Sequence, residues 1–266
     1  MAAESSVFLE TYLREIGVHT PVSLLSFGSE QTESRRTAGA ETIGQSVEEN
    51  KMKASVPVSQ KGSDPILEGD VVQQDVAVVD SDMKPLHALA LDASTCRLCG
   101  LVDSRKNVVF GAGNAQADLL FIGETPKQDE DLQGEPFVGA PGQMLERMLS
   151  AIGLKRDDVY IMNAIKCSTP NNRDPRPDEV QACALWLDQQ LTMIQPKMIC
   201  LLGKVAAQTV LKTDDTLATL RGHWHEYKAI PVWVTYHPAY LMRSPRQKQK
   251  SWQDLMQLSQ RFQGLR

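Results

Sequence analysis

The sequence predicts an α/β protein, a three-layer α/β/α sandwich with a central four-stranded parallel sheet. Two observations support this fold class. Four short apolar runs, each followed by a glycine or a polar turn, alternate with segments whose apolar residues recur every three or four positions. Strands that alternate with helices at this spacing form a parallel sheet covered on both faces.

The predicted strands place chemistry-bearing side chains at one edge of the sheet. The strands are residues 118–122, 159–164, 198–202 and 232–235. The helices begin near Gly139, at Pro177, near Val205 and at Lys248. Loops that leave parallel strands share one edge, where α/β folds bind their ligands. The sequence therefore predicts that Glu124, Phe137, Asn163 and His237 come together there.

The chain divides into three predicted parts. Residues 1–20 favour an amphipathic helix that docks on the main domain or on an unidentified protein partner. Residues 21–85 favour a disordered acidic linker, and residues 86–266 form the folded domain. No apolar run approaches the roughly 18 residues of a membrane span, and the start lacks a basic segment followed by an apolar one. We expect a cytoplasmic monomer that does not associate with membranes.

The charge is uneven along the chain. The net charge is −5 overall, yet residues 1–84 carry 14 acids and 7 bases, whereas residues 85–266 carry 19 acids and 21 bases. From residue 221 onward there are 8 bases and 2 acids. A basic C-terminal region on an acidic protein is a modest signal for a polyanionic partner, although a solvated helix face has the same composition.

Four of the five cysteines are spaced as metal ligands. Cys96 and Cys99 form a short two-cysteine turn, and Cys167 and Cys183 follow far along the chain. Four thiolates from two segments suit an iron-sulfur cluster or a tetrahedral zinc, and their spacing does not choose between them. Cys200 lies within an apolar strand and is predicted to be a small buried side chain.

Three motifs, together with the four cysteines, resemble the family-four uracil-DNA glycosylases, the iron-sulfur branch of that superfamily. The motifs are Gly123-Glu124-Thr125-Pro126 with Pro136-Phe137-Val138-Gly139, Asn163-Ala164-Ile165-Lys166-Cys167, and His237-Pro238-Ala239-Tyr240-Leu241-Met242-Arg243. The match covers about residues 88–262. It implies a four-iron four-sulfur cluster held by the four cysteines, with zinc as the alternative, and a DNA repair enzyme that removes uracil from DNA.

The resemblance implies roles that the chemistry of uracil excision also requires. An enzyme that cuts the bond between a base and its sugar must flip the base into a pocket. Phe137 would stack on uracil, the amide of Asn163 would pair with its edge, and His237 would donate to the 2-oxo group. Singly, each residue has a structural explanation: core packing for Phe137, a strand-end cap for Asn163 and loop packing for His237.

The remaining pocket residues lie in the acidic loop, which connects the strand at residues 118–122 to the helix that begins near Gly139. By resemblance, Gly123 lies beside the substrate, Glu124 orients water or stabilises the cationic sugar, and Glu130 excludes a 5-methyl group and so rejects thymine. The sequence departs from the family at Thr125, where Gly or Ala is common, and at Lys127, where Gly is common. Lysine resists the backbone conformations that glycine permits, so the loop path is open, and Lys127 can instead reach a phosphate.

The segment after His237 is predicted to enter DNA as a loop. Leu241 or Met242 would fill the gap left by the flipped nucleotide. Arg243 and Lys248, with Arg246 and Lys250, would meet phosphates. The sequence thus predicts a uracil-DNA glycosylase. The alternative is a module of the same fold that binds uracil or single-stranded DNA and has lost turnover through the changes at residues 125 and 127.

Overall fold

A mixed sheet of six strands organises the chain in the computed structural model, which describes Arg14 and residues 86–265. The strands are β1 (Ala112–Gly113), β2 (Leu119–Gly123), β3 (Tyr160–Asn163), β4 (Met198–Leu202), β5 (His225–Tyr227) and β6 (Ile230–Thr235). Their spatial order is β1-β3-β2-β4-β6-β5. The four central strands run parallel, and β1 and β5 pair antiparallel at the edges.

The predicted α/β class and the parallel centre of the sheet are confirmed, and the strand number is corrected from four to six. The four predicted runs became β2, β3, β4 and β6. The missed edge strands contain 2 and 3 residues. Segments of that length are too short to show the alternation of apolar and polar residues that marks a strand.

Helices cover both faces of the sheet. They are α1 (Leu86–Ser94), α2 (Gln128–Gln133), α3 (Gly139–Ala151), α4 (Pro177–Ile194), α5 (Lys204–Leu211), α6 (Leu217–Leu220), α7 (Pro238–Arg243) and α8 (Lys248–Gln263). On one face Leu119 and Phe121 pack with apolar residues of α3 and α8. On the other, Leu120 and Ile122 pack with residues of α4 and α5. One core lies on each face of the sheet, so the sheet is the middle of the three predicted layers and helices form the outer two.

Two segments that the sequence predicted as loops contain short helices. Within the acidic loop, α2 begins after Lys127, whose backbone N–H donates to Glu130 Oε2 at 2.6 Å. After β6, α7 begins at Pro238, and the side chain of the preceding His237 accepts from the Ala239 N–H. The Glu130 side chain caps the start of α2, and the His237 side chain with Pro238 starts α7. Neither helix has the apolar periodicity that would reveal it in the sequence.

The N-terminal predictions remain untested. The amphipathic helix predicted for residues 1–20 and the acidic linker predicted for residues 21–85 lie outside the described residues, apart from Arg14. In the described part of the chain, no helix has the length and apolar character needed to span a bilayer.

Candidate uracil-binding pocket and cysteine cluster

The pocket begins where β2 and β3 end side by side. Gly123 and Asn163 are register partners, and both are buried. A Cβ atom placed on Gly123 would lie 2.4 Å from Asn163 Oδ1 and 2.6 Å from Phe137 Cζ. Only a residue without a side chain therefore lets the amide and the aromatic ring both approach the end of β2. The structure brings these three predicted residues together.

Phe137 is held in an unusual conformation at this point. Its φ of 52° lies in the left-handed region, which costs a non-glycine residue on the order of 1–3 kcal/mol. Its N–H donates to Glu130 Oε1. On the other side, Arg156 donates to the Pro136 carbonyl at 2.6 Å and to the Phe137 carbonyl at 3.5 Å. Contacts on both sides thus fix the ring in the pocket.

His237 meets Phe137 from the end of β6. Their rings are stacked, with centroids 5.5 Å apart and an angle of 27° between the planes. Burial, followed by the positive charges of Lys127 and Arg243, lowers the pKa of His237 to about 3. The ring is therefore neutral at physiological pH. Since Nδ1 accepts from the Ala239 N–H at 3.2 Å, the ring proton is on Nε2, which can donate.

Glu124 lies on the far side of His237. A Cβ on Gly203 would lie 2.5 Å from Glu124 Oε1 and 3.0 Å from His237 Cβ, so the two side chains meet over this glycine. Glu124 Oε1 accepts from the Val205 N–H at 3.2 Å, in the first turn of α5. Burial raises the pKa of Glu124, and that hydrogen bond and the charge of Lys127 oppose the rise. The carboxylate thus lies at the mouth of the pocket next to a helix N-terminus.

Glu130 is a structural centre of the acidic loop. It is 7% exposed, and its carboxylate accepts from the Lys127 and Phe137 backbone N–H groups and, at 3.5 Å, from Asn163 Nδ2. Burial raises its pKa, and these hydrogen bonds oppose the rise. The predicted rejection of thymine is not tested, but Glu130 sets the position of both Phe137 and Asn163.

A cleft of about 800 Å³ opens in front of Glu124 and His237. Three cations line it, from three different segments: Lys127, Lys204 and Arg243. At Lys127 the φ is −93° and the ψ is 173°, an extended conformation that any residue adopts. The lysine at the position where glycine is common is therefore compatible with the loop. It is one of three cations in the cleft, which two acids, Glu124 and Asp174, also line.

The residues predicted to contact DNA differ in their exposure. Leu241, a residue of α7, is fully buried in the core, so its side chain cannot enter DNA in this conformation. Met242, the next residue, is 44% exposed. Of the two wedge candidates, the position of the side chain favours Met242. Arg243 is exposed in the cleft. Lys248 is only 8% exposed and lies in a separate hollow beside Met242.

The four predicted metal ligands, Cys96, Cys99, Cys167 and Cys183, line one hollow between α1 and α4. Among the described residues, no three His, Cys, Asp or Glu side chains are arranged to hold a single metal ion. Burial raises the pKa of Cys183 to about 11. Cys200 is fully buried in β4, apart from this hollow, as predicted.

Hydrogen-bond donors surround the cysteine sulfurs. Arg105 Nη1 lies 3.2 Å from Cys167 Sγ, and Trp186 Nε1 lies 3.2 Å from Cys96 Sγ. The Lys166 backbone N–H donates to Cys183 Sγ at 3.3 Å. Donors to sulfur stabilise thiolates and are typical of the surroundings of iron-sulfur clusters. The donor set therefore fits an anionic cluster held by the four cysteines.

Comparison with known proteins identifies the family. The family model of the uracil DNA glycosylase superfamily matches residues 110–256. A type-4 uracil-DNA glycosylase of Archaeoglobus fulgidus is 40% identical over 186 residues, which cover 67% of this chain and 94% of the relative. The chain belongs to the type-4 branch of the uracil-DNA glycosylase superfamily.

Further relatives of the same branch are similar over somewhat shorter stretches. The type-4 uracil-DNA glycosylase of Saccharolobus solfataricus is 39% identical over 61% of this chain and 80% of the relative. That of Thermotoga maritima is 40% identical over 56% of this chain and 79% of the relative. These matches confirm the resemblance that the three motifs and the cysteine spacing indicated.

Sequence reasoning missed the residues that support the pocket of this type-4 family member. Arg156 follows Phe137 by 19 positions and lies in a short 3₁₀ turn, where no motif marks it. Lys166 was noted only as part of a motif, yet it is 1% exposed and its Nζ donates to the Asn163 carbonyl at 2.7 Å. Burial lowers the pKa of Lys166 to about 8. A fully buried lysine before a cysteine is the signal that could have found it.

We predict that Gly123→Ala disturbs the pocket and destabilises the protein. The added methyl group would overlap Asn163 and Phe137, and overpacking of this kind typically costs about 1–3 kcal/mol. Urea denaturation gives the change in the free energy of unfolding. Gly264→Ala is the matched control, because its Cβ would have no neighbour closer than 3.4 Å. Equal stability of the two variants would contradict the close packing at Gly123.

Proposed function

We propose that this protein is a uracil-DNA glycosylase that flips uracil out of DNA and hydrolyses its N-glycosidic bond, leaving an abasic site. The observation that carries the proposal is the meeting of Asn163 at the end of β3, Phe137 in the loop after β2 and a neutral His237 after β6, at one edge of the sheet. The type-4 uracil-DNA glycosylases to which the chain is similar support the same activity.

Each pocket residue has a chemical task in this proposal. Phe137 supplies an apolar face for the flipped base. The amide of Asn163 offers both an acceptor and donors, so it can pair with the ring N–H and the 4-oxo group of uracil, where cytosine presents the opposite pattern. Asn163 is 1% exposed and is held through Glu130 and Lys166. An amide fixed in this way discriminates between bases without reorganising.

The charges of the cleft favour the transition state of bond cleavage. Negative charge collects on uracil as the bond breaks, and positive charge develops on the sugar. Lys127 and Arg243, whose charges disfavour a protonated His237, would stabilise an anionic pyrimidine at the same place. The Nε2–H of His237 would donate to the 2-oxo group. Glu124, at the mouth of the cleft, would stabilise the sugar cation or orient the attacking water.

A four-iron four-sulfur cluster is the group that we propose for the four cysteines, with zinc as the alternative. The four cysteines line one hollow, and the hydrogen-bond donors around their sulfurs support an anionic cluster. When bound, the cluster would supply a structural cross-link that ties the arm containing α1 to α4 and the sheet. In this proposal the excision step uses Phe137, Asn163, His237 and Glu124.

The acidic N-terminal third, the monomeric state and the cytoplasmic location stay predictions. If residues 1–85 bind a protein partner, the partner is not indicated by the described part of the chain.

We expect His237→Ala and Asn163→Ala to lose uracil excision. Removal of one preorganised donor typically lowers the rate about 100-fold to 1000-fold. A labelled oligonucleotide with one uracil, treated with alkali after incubation, reports abasic sites as cleaved strands. His223→Ala is the matched control, because His223 is exposed and outside the cleft lining. Tight binding of uracil-containing DNA by the native protein without any abasic product would favour the binding module instead.

We predict that the acid limb of the pH–rate profile reports Glu124. The ionised carboxylate is needed, so the rate falls as pH drops through the pKa of Glu124, which burial raises above 4.5. His237 adds no limb near its usual 6.5, since its pKa is lowered to about 3. The measurement is kcat/KM for excision between about pH 4 and 9, because this quantity reports the ionisation of groups in the free enzyme. An acid limb that persists in Glu124→Gln would contradict this assignment.

We expect anaerobically purified protein to be brown, with an absorbance band at about 400 nm and roughly four iron and four sulfide ions per chain. Cys167→Ala should lose iron, because it removes one ligand. Cys200→Ala serves as the control, since Cys200 is buried in β4 outside the hollow, and it should keep its iron. Stoichiometric zinc without iron would rule out the cluster and leave the glycosylase proposal standing.

A further inference from the structure

Two tyrosines line the main cleft and have no task in the excision step proposed above. Tyr236 follows β6, and Tyr240 lies in α7. Their rings are stacked, with centroids 5.4 Å apart and an angle of 23° between the planes. The cleft therefore offers an aromatic surface in addition to its cations.

Tyr236 is fixed to the interior of the protein. Its hydroxyl accepts from Arg221 Nη1 at 3.0 Å and donates to Gln247 Oε1 at 3.1 Å. The guanidinium carbon of Arg221 lies 4.0 Å from the centre of the tyrosine ring. Arg221 is itself paired with the buried Asp254, at 2.6 Å. Because these contacts hold both the hydroxyl and the ring, Tyr236 is a rigid support for the ring that stacks on it.

Tyr240 presents its ring to the cleft. The side chain is 37% exposed, so part of a large aromatic ring faces water and not the core. Tyr240 lies three positions before Arg243 on α7, so the two residues share one face of the helix, and both line the cleft. His237, which would donate to uracil in the proposed reaction, precedes Tyr240 by three positions. The exposed ring thus lies one helical turn from the uracil pocket and beside a cation that can contact a phosphate.

An exposed aromatic ring beside cations is a combination that binds single-stranded nucleic acid. The bases stack on the ring, and the cations contact the phosphates. Lys127, Lys204 and Arg243 supply the positive charge in this cleft. Its volume of about 800 Å³ is in the range of pockets that hold ligands much larger than one pyrimidine. The cleft therefore has room for a second base next to the flipped uracil.

Only an unpaired base can use the ring of Tyr240. Inside a duplex, each base is stacked on both of its neighbours, so its faces are not available to a protein side chain. In a single strand, the base next to the uracil can turn away from its neighbours at low cost, because no base pair has to be broken.

We propose that Tyr240, supported by Tyr236, stacks on the unpaired base next to the uracil and so strengthens the binding of uracil in single-stranded DNA. This inference rests on the DNA-binding function proposed above and adds a strand preference to it. The contact is made with the face of the base, so it tolerates any of the four bases.

The first test measures the affinity of Tyr240→Ala for a single-stranded oligonucleotide that contains one 2′-fluorinated deoxyuridine. The fluorine destabilises the sugar cation, so the base is not excised during the measurement. Loss of one stacked base should lower the affinity about 5-fold to 100-fold, which corresponds to about 1–3 kcal/mol. Tyr240→Phe keeps the ring and should bind within about twofold of the native protein. Leu185→Ala is the matched control, because Leu185 is 47% exposed on α4, outside the cleft lining, and it should bind as the native protein does.

A scan with abasic nucleotides identifies the stacked base. A tetrahydrofuran residue, which carries no base, replaces one nucleotide at a time on either side of the uracil. In the native protein, one position should weaken binding about as much as Tyr240→Ala does, and the replacement at that position should have no further effect in Tyr240→Ala. If the two losses add at every position, the ring contacts no base and the proposal is overturned. A purely structural effect of Tyr240→Ala would give this additive result, together with a lower free energy of unfolding in urea.

A complementary strand provides the second comparison. The base next to the uracil is then stacked inside the duplex, so Tyr240→Ala should lose less affinity for the duplex than for the single strand. An equal loss with both substrates would contradict the proposal. Unchanged affinity for the single strand would leave the ring to a different partner and overturn it as well. Since binding is measured without excision, a native protein that shows the stacking but forms no abasic sites would contradict the glycosylase proposal alone.

Discussion

The hydrogen bonds accepted by the buried Glu130 carboxylate are the interaction on which the pocket depends. One oxygen takes the Lys127 N–H and so begins α2, and the other takes the Phe137 N–H and the amide of Asn163. These contacts hold a phenylalanine in a left-handed conformation that it would not adopt unaided. A buried carboxylate left without such donors would be strongly destabilising, so the loop and the pocket must form together.

The close packing around His237 also determines its protonation state. Burial is the main cause of the lowered pKa of His237, and the nearby positive charges of Lys127 and Arg243 lower it further. The histidine therefore keeps a single neutral form, whose tautomer the Ala239 N–H selects. A protonated imidazole would be a stronger hydrogen-bond donor, but its positive charge would be buried and close to two other cations. In the proposed reaction, Lys127 and Arg243 can then stabilise the negative charge that develops on uracil.

Sequence reasoning found the sheet centre and most of the pocket because both depend on local patterns. The strand ends at Gly123 and Asn163 are visible as apolar runs that stop at characteristic residues, and parallel pairing then makes them neighbours. It could not find Arg156 or the structural role of Glu130, since these act through backbone groups 3 to 20 positions away. The sequence predicts a surface loop at Leu241. The structure has a helix there, α7, which turns this side chain into the core.

Lys166 has a consequence for any attempt to redesign the molecule. Its backbone N–H donates to Cys183 Sγ, while its ammonium group donates to the Asn163 carbonyl, so one residue links the cysteine arm to the asparagine that we propose reads the base. Arm and pocket are consequently not separable modules. Removal of the arm would leave the buried Lys166 ammonium group without its surroundings, and the packing beneath Asn163 would have to be redesigned.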